Sequence, residues 1–335
     1  MLKKRMIIYM IILFSITLKA FADDALPSWN NTALKKQIID FVNLVTNRQS
    51  ASYVAPENRI ATFDNDGTLW VEQPIYPQYI FALQQLKKIA PEHPEWKNDP
   101  TFQKVFQNKM TELSKQDIEK ILIATHTGMS VQSFENSAKN FLQNARDPKF
   151  QHRYTELVYQ PMLEMIRYLQ KNQFSVYIVS GGGQDFIRSF ADKTYGIPRN
   201  YIVGTAGKMK YIYQNDQPVL IKLPEMLLDN NNDGKVKGIE LVIGIKPLIA
   251  FGNSDGDREM LEWTGSGTGK RMMLLVHHDD AEREYAYDKN SKVGTFSETL
   301  FAEAKQKHWN IISMKNDWKV IFPFSTVSHT GRNPS

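Results

Sequence analysis

The chain contains no cysteine among its 335 residues. This absence excludes disulfide bonds, thiolate metal sites, a cysteine nucleophile and a lipidated N-terminal cysteine. Internal repeats and low-complexity segments are also missing. A soluble protein that works outside the cytoplasm fits these absences. The chain is long enough for a large core, and its length favours two units over one.

No apolar run reaches the roughly 20 residues that span a bilayer comfortably. The run at residues 6–18 follows a basic start and precedes the small residues Ala20 and Ala22. This order is typical of a secretory signal peptide, with an uncleaved anchor as the alternative. We predict that residues 1–22 are removed and that the protein is exported to the periplasm.

The mature chain has little net charge. Residues 1–22 carry four basic residues and no acid, so their removal lowers the formal charge from +5 to +1. This balance gives no reason to expect nucleic acid or an anionic membrane as a partner. We therefore expect neither nucleic acid nor, once the signal peptide is removed, a membrane.

Five short apolar runs without charged residues alternate with helical patterns. They predict an α/β fold, a Rossmann-like parallel sheet with helices on both faces. The predicted strands are residues 60–63, 174–179, 201–203, 248–251 and 272–276, and residues 208–223 are predicted to form a hairpin around Asn215 and Asp216.

The interval between the first two predicted strands is too long for a simple crossover and has helical spacing. One apolar stripe contains Phe134, Ala138 and Phe141, and Ser114 followed by Asp117 has the pattern of a capping box. A second apolar stripe, Ile118, Ile121 and Leu122, follows this capping box, and both stripes are best explained as core packing. We predict a mostly helical cap at residues 75–155, inserted into a catalytic core at residues 23–74 and 156–335.

A motif with two carboxylates follows the first predicted strand directly. It consists of Asp64, Asn65, Asp66, Gly67 and Thr68. Carboxylates at i and i+2 that enter a glycine turn can face one small volume. There one can attack phosphorus while the other exchanges a proton with the leaving oxygen. Glycine permits close backbone approach to a phosphate, and the threonine offers a hydroxyl. A solvated turn is the alternative.

Two further polar turns follow predicted strands. Ser180, Gly181 and the two glycines after them offer a hydroxyl and backbone N–H groups to a phosphoryl oxygen. Residues 252–257 offer carboxylates and an amide to a hard cation. Because ligands bind at the carboxyl ends of parallel strands, we expect the three turns to form one site.

These motifs, in this order, resemble the haloacid dehalogenase superfamily, and most closely its phosphoserine phosphatase-like branch. The resemblance covers essentially the whole mature chain. It implies that Asp64 is the nucleophile forming an aspartyl-phosphate, that Asp66 is the general acid and base, and that Ser180 binds phosphate. It also implies Mg²⁺ held by the Asp64 carboxylate, the Asp66 carbonyl and the acidic turn. An acid at position 66 favours phosphate ester hydrolysis over dehalogenation.

The acidic turn departs from the family pattern Gly-Asp-x-x-x-Asp. Asn253 stands where the first acid belongs, and Asp257 matches the second. An amide binds Mg²⁺ more weakly than a carboxylate. Either Asp255 is the direct ligand, which we prefer, or Asn253 binds through its oxygen with Asp257 behind it.

The lysine that the family places near the nucleophile has three candidates. They are Lys235, Lys237 and Lys222, and we choose Lys235 because it opens a predicted helix. The same stretch, residues 229–240, matches the calcium loop of an EF-hand at each sequence-specified position. A preceding proline and two lysines within the loop oppose calcium binding there.

The histidines are interpreted mainly as structural residues. His126, in the predicted cap, either contacts substrate or is a satisfied structural histidine. His277 and His278 end the fifth predicted strand beside two aspartates. Adjacent residues of a strand point to opposite faces, so both cannot bind one ion.

The sequence favours a broad-specificity, Mg²⁺-dependent phosphatase acting on small phosphate monoesters. Two alternatives stay open, a phosphotransferase and a phosphate-ester or metal-binding protein that has lost turnover. Glu72, with Gln73 beside it, lies near the position of an acid that recognises phosphoserine in the family, but the match is loose. Export also argues against an intermediate of cytoplasmic serine synthesis.

Overall fold

A computed structural model describes residues 24–325, so the predicted signal peptide lies outside the described residues. The described strands form a single sheet and are β1 Ile60–Phe63, β2 Ser175–Gly183, β3 Ile202–Gln214, β4 Gln217–Leu228, β5 Ile249–Gly252, β6 Met272–His277 and β7 Asn310–Ser313. Their order is β4-β3-β2-β1-β5-β6-β7. Neighbouring strands are parallel except β3 and β4, which are antiparallel.

Helices connect the strands. They are α1 Ala33–Thr46, α2 Pro77–Ile89, α3 Pro100–Phe106, α4 Lys115–His126, α5 Val131–Asn144, α6 Gln160–Lys171, α7 Gln184–Arg188, α8 Ala191–Tyr195, α9 Asp233–Val242, α10 Arg258–Gly265, α11 Glu298–Gln306 and α12 Met314–Asp317. No helix within residues 24–325 is long and apolar enough to cross a membrane.

The predicted α/β fold is confirmed, with β1 near the centre of the sheet. All four residues of β1 are buried, and Phe63 stacks on Phe251 of β5 with ring centroids 4.3 Å apart. Two strands differ from the prediction. β2 continues through the glycines to Gly183, with a register shift against β3. β7 was not predicted, because its four residues include polar Asn310 and Ser313 at the ends.

The predicted hairpin is confirmed and is longer than expected. Its two-residue turn is Asn215 and Asp216, with φ angles of 48° and 59°. Positive φ at both central residues gives the turn that matches the twist of paired strands. The third predicted strand and the hairpin are one element, since β3 runs from the sheet into the hairpin without a break.

A helical insertion, α2 to α5, lies between β1 and β2 as predicted. Ser114 and Asp117 form the expected capping box at the start of α4. The apolar stripe of α5 is buried, and its Phe134 packs edge-on against Phe81 of α2. Phe81 also stacks on Phe186 of α7, which follows β2 directly. This aromatic cluster joins the inserted helices to the sheet-based core beside the ends of the strands.

Candidate active site

The turn after β1 is held by backbone and side-chain hydrogen bonds. The Asp64 nitrogen donates to the carbonyl of Phe251 over 2.9 Å, which ties the turn to β5. Gly67 has φ +72°, and its nitrogen donates to the carbonyl of Trp70. The Trp70 indole in turn donates to Asp66 Oδ1 over 2.8 Å. The positions of both carboxyl groups are therefore set by the local fold of the turn.

Lys235 connects this turn to the acidic turn after β5. It lies in the first turn of α9, and its Nζ is 2.7 Å from Asp64 Oδ1 and 2.5 Å from Asp257 Oδ1. The other two candidate lysines are engaged elsewhere, Lys237 with exposed Asp233 and Lys222 with Asp185. Of the three, Lys235 is the one that the structure brings to Asp64.

Burial and mutual repulsion dominate the electrostatics of the site. Burial, followed by the charge of Asp257, raises the pKa of Asp64 to about 7, although Lys235 opposes this. Burial also raises the pKa of Asp66, against hydrogen bonds that lower it. For Lys235, burial lowers the pKa, but the two carboxylates outweigh it and leave the pKa above its ordinary value. One ammonium group is thus shared between two buried carboxylates.

In the acidic turn, Asn253 and Asp255 have different surroundings. Asn253 is 1% exposed and accepts a hydrogen bond from the Thr68 hydroxyl over 3.1 Å. The Asp255 carboxylate instead accepts from the backbone nitrogen and hydroxyl of Ser297, at the start of α11. Our preferred ligand Asp255 is therefore bonded away from Asp64, and the geometry favours the alternative with Asn253.

Asp257 lies behind Asn253, as that alternative requires. One oxygen of the buried Asp257 carboxylate accepts from the backbone nitrogens of Asn253 and Ser254, and the other meets Lys235. Thr68, predicted to offer its hydroxyl to phosphate, is fully buried and bonds to Asn253. In this structure its hydroxyl orients the acidic turn.

The glycine-rich end of β2 lies on the other side of Asp66. Ser180 is 1% exposed, and its Oγ accepts a hydrogen bond from the nitrogen of Gly182 over 3.0 Å. A Cβ on Gly182 would lie 3.4 Å from Asp66 Oδ2, so the two turns are neighbours. At Gly181 a Cβ would meet Asn231 at 2.0 Å. The segment predicted to bind phosphate therefore lies beside Asp66, and its backbone at Gly181 closely approaches the Asn231 side chain.

The residues present fit a hard divalent cation by charge and donor type. Asp64, Glu72 and Asp257 are buried, and Asp66 is partly buried. Among the described residues, Lys235 is the cationic side chain that pairs with this cluster. Such a concentration of buried carboxyl groups around one ammonium favours a bound cation, and Mg²⁺ prefers oxygen ligands. Within residues 24–325, no three acidic or histidine side chains converge as a ready-made metal site. Any ion held here therefore needs backbone, amide or water oxygens as well.

The segment with the calcium-loop pattern has another structure. Residues 233–242 are helical, so Asp233 and Glu240 are about 10 Å apart along the helix and cannot wrap one ion. Asn230 is fully buried, and its amide donates to the carbonyls of Ser180 and Val203. This segment supports the end of β2 and delivers Lys235.

The histidines have structural partners. His126 is bonded to Thr125 and to Gln78, and burial followed by the charge of Lys222 lowers its pKa to about 3. His278 is 3% exposed and lies 2.7 Å from the carbonyl of Gly67, beneath the catalytic turn. His277 instead packs its ring against Phe296. As expected, the two adjacent histidines face different surroundings.

Three residues contact the site although no local sequence pattern assigns them to it. Gln78 of α2 accepts from the nitrogen of Gly183 over 2.7 Å, and Tyr287 donates to Glu72 over 2.7 Å. His278, considered above only as a metal candidate, contacts the carbonyl oxygen of Gly67 through its Nε2. These contacts join residues 105, 215 and 211 positions apart, so no local spacing could have indicated them.

The fold and site together define a class of α/β hydrolases with a carboxylate turn at the end of the central strand. Residues 61–262 match the family model of the haloacid dehalogenase-like hydrolases. The chain belongs to this family, most of whose members are phosphatases and whose enzymes typically use Mg²⁺. No curated protein matches the chain.

Solved structures resemble this chain at low sequence identity. A conserved protein of unknown function from Anaerococcus prevotii DSM 20548 aligns with TM-score 0.53 and 15% identity over 84% of this chain and 91% of that chain. A phosphoserine phosphohydrolase-like protein from Francisella tularensis subsp. tularensis SCHU S4 aligns with TM-score 0.38 and 21% identity over 66% and 88%. Phosphoserine phosphatases are also among the structural neighbours. The likeness to the Anaerococcus protein bears on the fold alone, and the weaker likenesses support no conclusion.

Proposed function

We propose that the protein is an exported, Mg²⁺-dependent phosphatase that hydrolyses phosphate monoesters through an aspartyl-phosphate. The observation that carries the proposal is Lys235, buried between Asp64 and Asp257 at the carboxyl ends of β1 and β5. An ammonium group in contact with a carboxylate lowers the repulsion between that carboxylate and an incoming phosphate dianion. This arrangement suits nucleophilic attack on phosphorus.

In the first step an Asp64 oxygen attacks phosphorus and the bond to the ester oxygen breaks. Asp66 delivers its proton to the departing oxygen, a role helped by the raised pKa that burial gives this carboxyl. In the second step Asp66 takes a proton from water as the water oxygen attacks phosphorus. This step releases inorganic phosphate and restores Asp64.

Ser180 and the nitrogen of Gly181 are the proposed binding groups for the phosphoryl oxygens. The Asp64 carboxylate, the Asp66 carbonyl and the Asn253 amide oxygen are the proposed ligands of Mg²⁺. When bound, the ion would supply positive charge to the nucleophile and the phosphoryl group.

Broad specificity is supported by the uncharged groups that the inserted helices place beside the glycines. Gln78 contacts Gly183, and His126 behind it is neutral near pH 7 because its pKa is lowered to about 3. The ammonium of Lys222 is already paired with Asp185. None of these groups presents a free charge that would select one charged leaving group.

Phosphate release from an aryl phosphate with Mg²⁺ tests the proposal. We expect turnover in the wild type, none in Asp64→Asn, and a loss of about 10²- to 10⁴-fold in Asp66→Asn. An exhaustively chelated wild type should be inactive. Full activity of Asp64→Asn would refute the proposed nucleophile. Acceptor alcohols added to the same assay would reveal phosphotransfer through a phosphorylated alcohol, and an inactive wild type across a panel of esters would indicate a binding protein.

A further inference from the structure

The departure at Asn253 has a structural counterpart in Glu72. Eight residues after Asp64, Glu72 is 2% exposed, and its Oε1 is 2.6 Å from Asn253 Nδ2. The family pattern has a carboxylate at position 253, and here a second side chain brings a carboxylate against the amide that replaces it. The carboxyl group missing from position 253 is thus matched by another one buried nearby.

The surrounding backbone leaves room for this carboxylate. A Cβ at Gly67 would lie 2.3 Å from Glu72 Oε1, and a Cβ at Gly294 would lie 1.7 Å from the same atom. Both glycines have positive φ, +72° and +63°. Tyr287 adds a hydrogen bond to Oε1. Glu72 is therefore enclosed by two turns of the site, and Asn253 and Tyr287 hold it by hydrogen bonds.

Contact with Glu72 also orients the amide of Asn253. Glu72 Oε1 accepts hydrogen bonds from Tyr287 and from Asn253, and only the nitrogen of an amide can donate such a bond. The amide oxygen then faces the other way, where it accepts from the Thr68 hydroxyl. The amide oxygen is thus held in a defined orientation, and oxygen is the amide atom that a hard cation binds.

We propose that Glu72 and Asn253 together replace the carboxylate of the family motif, with Asn253 presenting its oxygen to Mg²⁺ and Glu72 supplying the charge behind it. The inference rests on the proposed Mg²⁺ site. It makes Glu72 a positioning residue for the metal ligand, in contrast to an acid that binds the leaving group of the substrate. Contacts behind a ligand commonly change metal affinity by about 10- to 100-fold.

Titration calorimetry with Mg²⁺ alone, without substrate, tests the pair. Glu72→Gln keeps the size of the side chain and removes its charge, and we expect it to weaken Mg²⁺ binding by about 10- to 100-fold. Adding Asn253→Asp to this variant returns a carboxylate to position 253 and should restore the affinity. Glu164→Gln is the matched control, because Glu164 is also buried, at 6% exposed, but bonds to Ser28. Its Mg²⁺ affinity should equal that of the wild type.

Several outcomes would overturn the inference. Unchanged Mg²⁺ affinity in Glu72→Gln, no recovery in the double variant, or no Mg²⁺ binding by the wild type would each do so. A rise in KM with unchanged Mg²⁺ affinity would assign Glu72 to the substrate. Because binding is measured without turnover, a failure of the phosphatase assay alone leaves the inference standing.

If Glu72→Gln does not fold, Asn253→Asp alone carries the test. This variant sets two carboxylates in contact, so its melting temperature should fall in chelator and rise more with Mg²⁺ than that of the wild type. Equal responses of the two proteins to Mg²⁺ would contradict the inference.

Discussion

In the metal-free fold, burial and the charge of Asp257 destabilise the ionised form of the Asp64 carboxyl group. Its ordinary pKa is 3.8, and in the folded protein burial and Asp257 raise it to about 7. Between these values the folded protein holds a proton that the unfolded chain releases. Stability therefore falls as pH rises through this window, and the loss is complete above about pH 7.

Asp64→Asn should accordingly stabilise the metal-free protein at pH 8 and change it little at pH 4, while abolishing turnover. Urea unfolding in chelator at the two pH values measures this. Glu225→Gln, at an exposed position of β4, should leave the free energy of unfolding within about 0.5 kcal/mol at both. Destabilisation by Asp64→Asn at pH 8 would show that the ion pair with Lys235 outweighs burial.

Lys235 is predicted to matter for both turnover and stability. Lys235→Met leaves Asp64 and Asp257 buried without their shared cation, so we expect about 3–5 kcal/mol of destabilisation at neutral pH. Turnover should fall by about 10²- to 10³-fold. Lys237→Met, two residues further along the same helix, removes an exposed ion pair and should change neither by much. Equal effects of the two substitutions would remove Lys235 from its proposed role.

At the scale of elements, α2 joins the inserted helices to the core. Phe81 is fully buried and contacts rings of α5 and α7. Phe81→Ala should cost about 3–5 kcal/mol in urea unfolding, because it leaves a cavity between the two parts. Phe106→Ala, at an exposed ring of α3, is the control and should cost far less. A small loss in Phe81→Ala would mean that the inserted helices can repack.

The helical conformation of residues 233–242 determines how calcium should act. Because α9 begins at Asp233, Ca²⁺ should not raise the melting temperature through residues 229–240. Glu240→Gln should melt like the wild type with and without Ca²⁺. A Ca²⁺-dependent stabilisation that this substitution removes would show that the segment can leave its helix to bind the ion.

At the scale of the whole molecule, export is a prediction from residues 1–22. Expression of the full chain in a bacterium with a periplasm should yield a protein that begins at Asp23. Mass spectrometry of the periplasmic fraction measures the new N-terminus. Replacement of Ala20 and Ala22 by larger residues should block this cleavage. Full-length wild-type protein found in the cytoplasm would contradict export.

The sequence by itself determined the features that depend on local chemistry. Buried apolar runs specified the parallel strands other than β7. The polar segments at the ends of β1, β2 and β5 were recognisable because a strand end and nearby glycines are local signals, although the glycines of β2 belong to the strand itself. The capping box of α4 and the turn at Asn215 and Asp216 were readable for the same reason.

Only the tertiary structure decided which distant groups meet. It brought Lys235 to Asp64 across 171 positions, set Glu72 against Asn253 across 181, and turned Asp255 toward Ser297. The physical reason is that hydrogen bonds and charge compensation act over a few ångströms of space, whatever the separation along the chain. A lysine on a helix or a glutamate after a strand has the same local signature whether it is solvated or buried, and packing alone distinguishes the two.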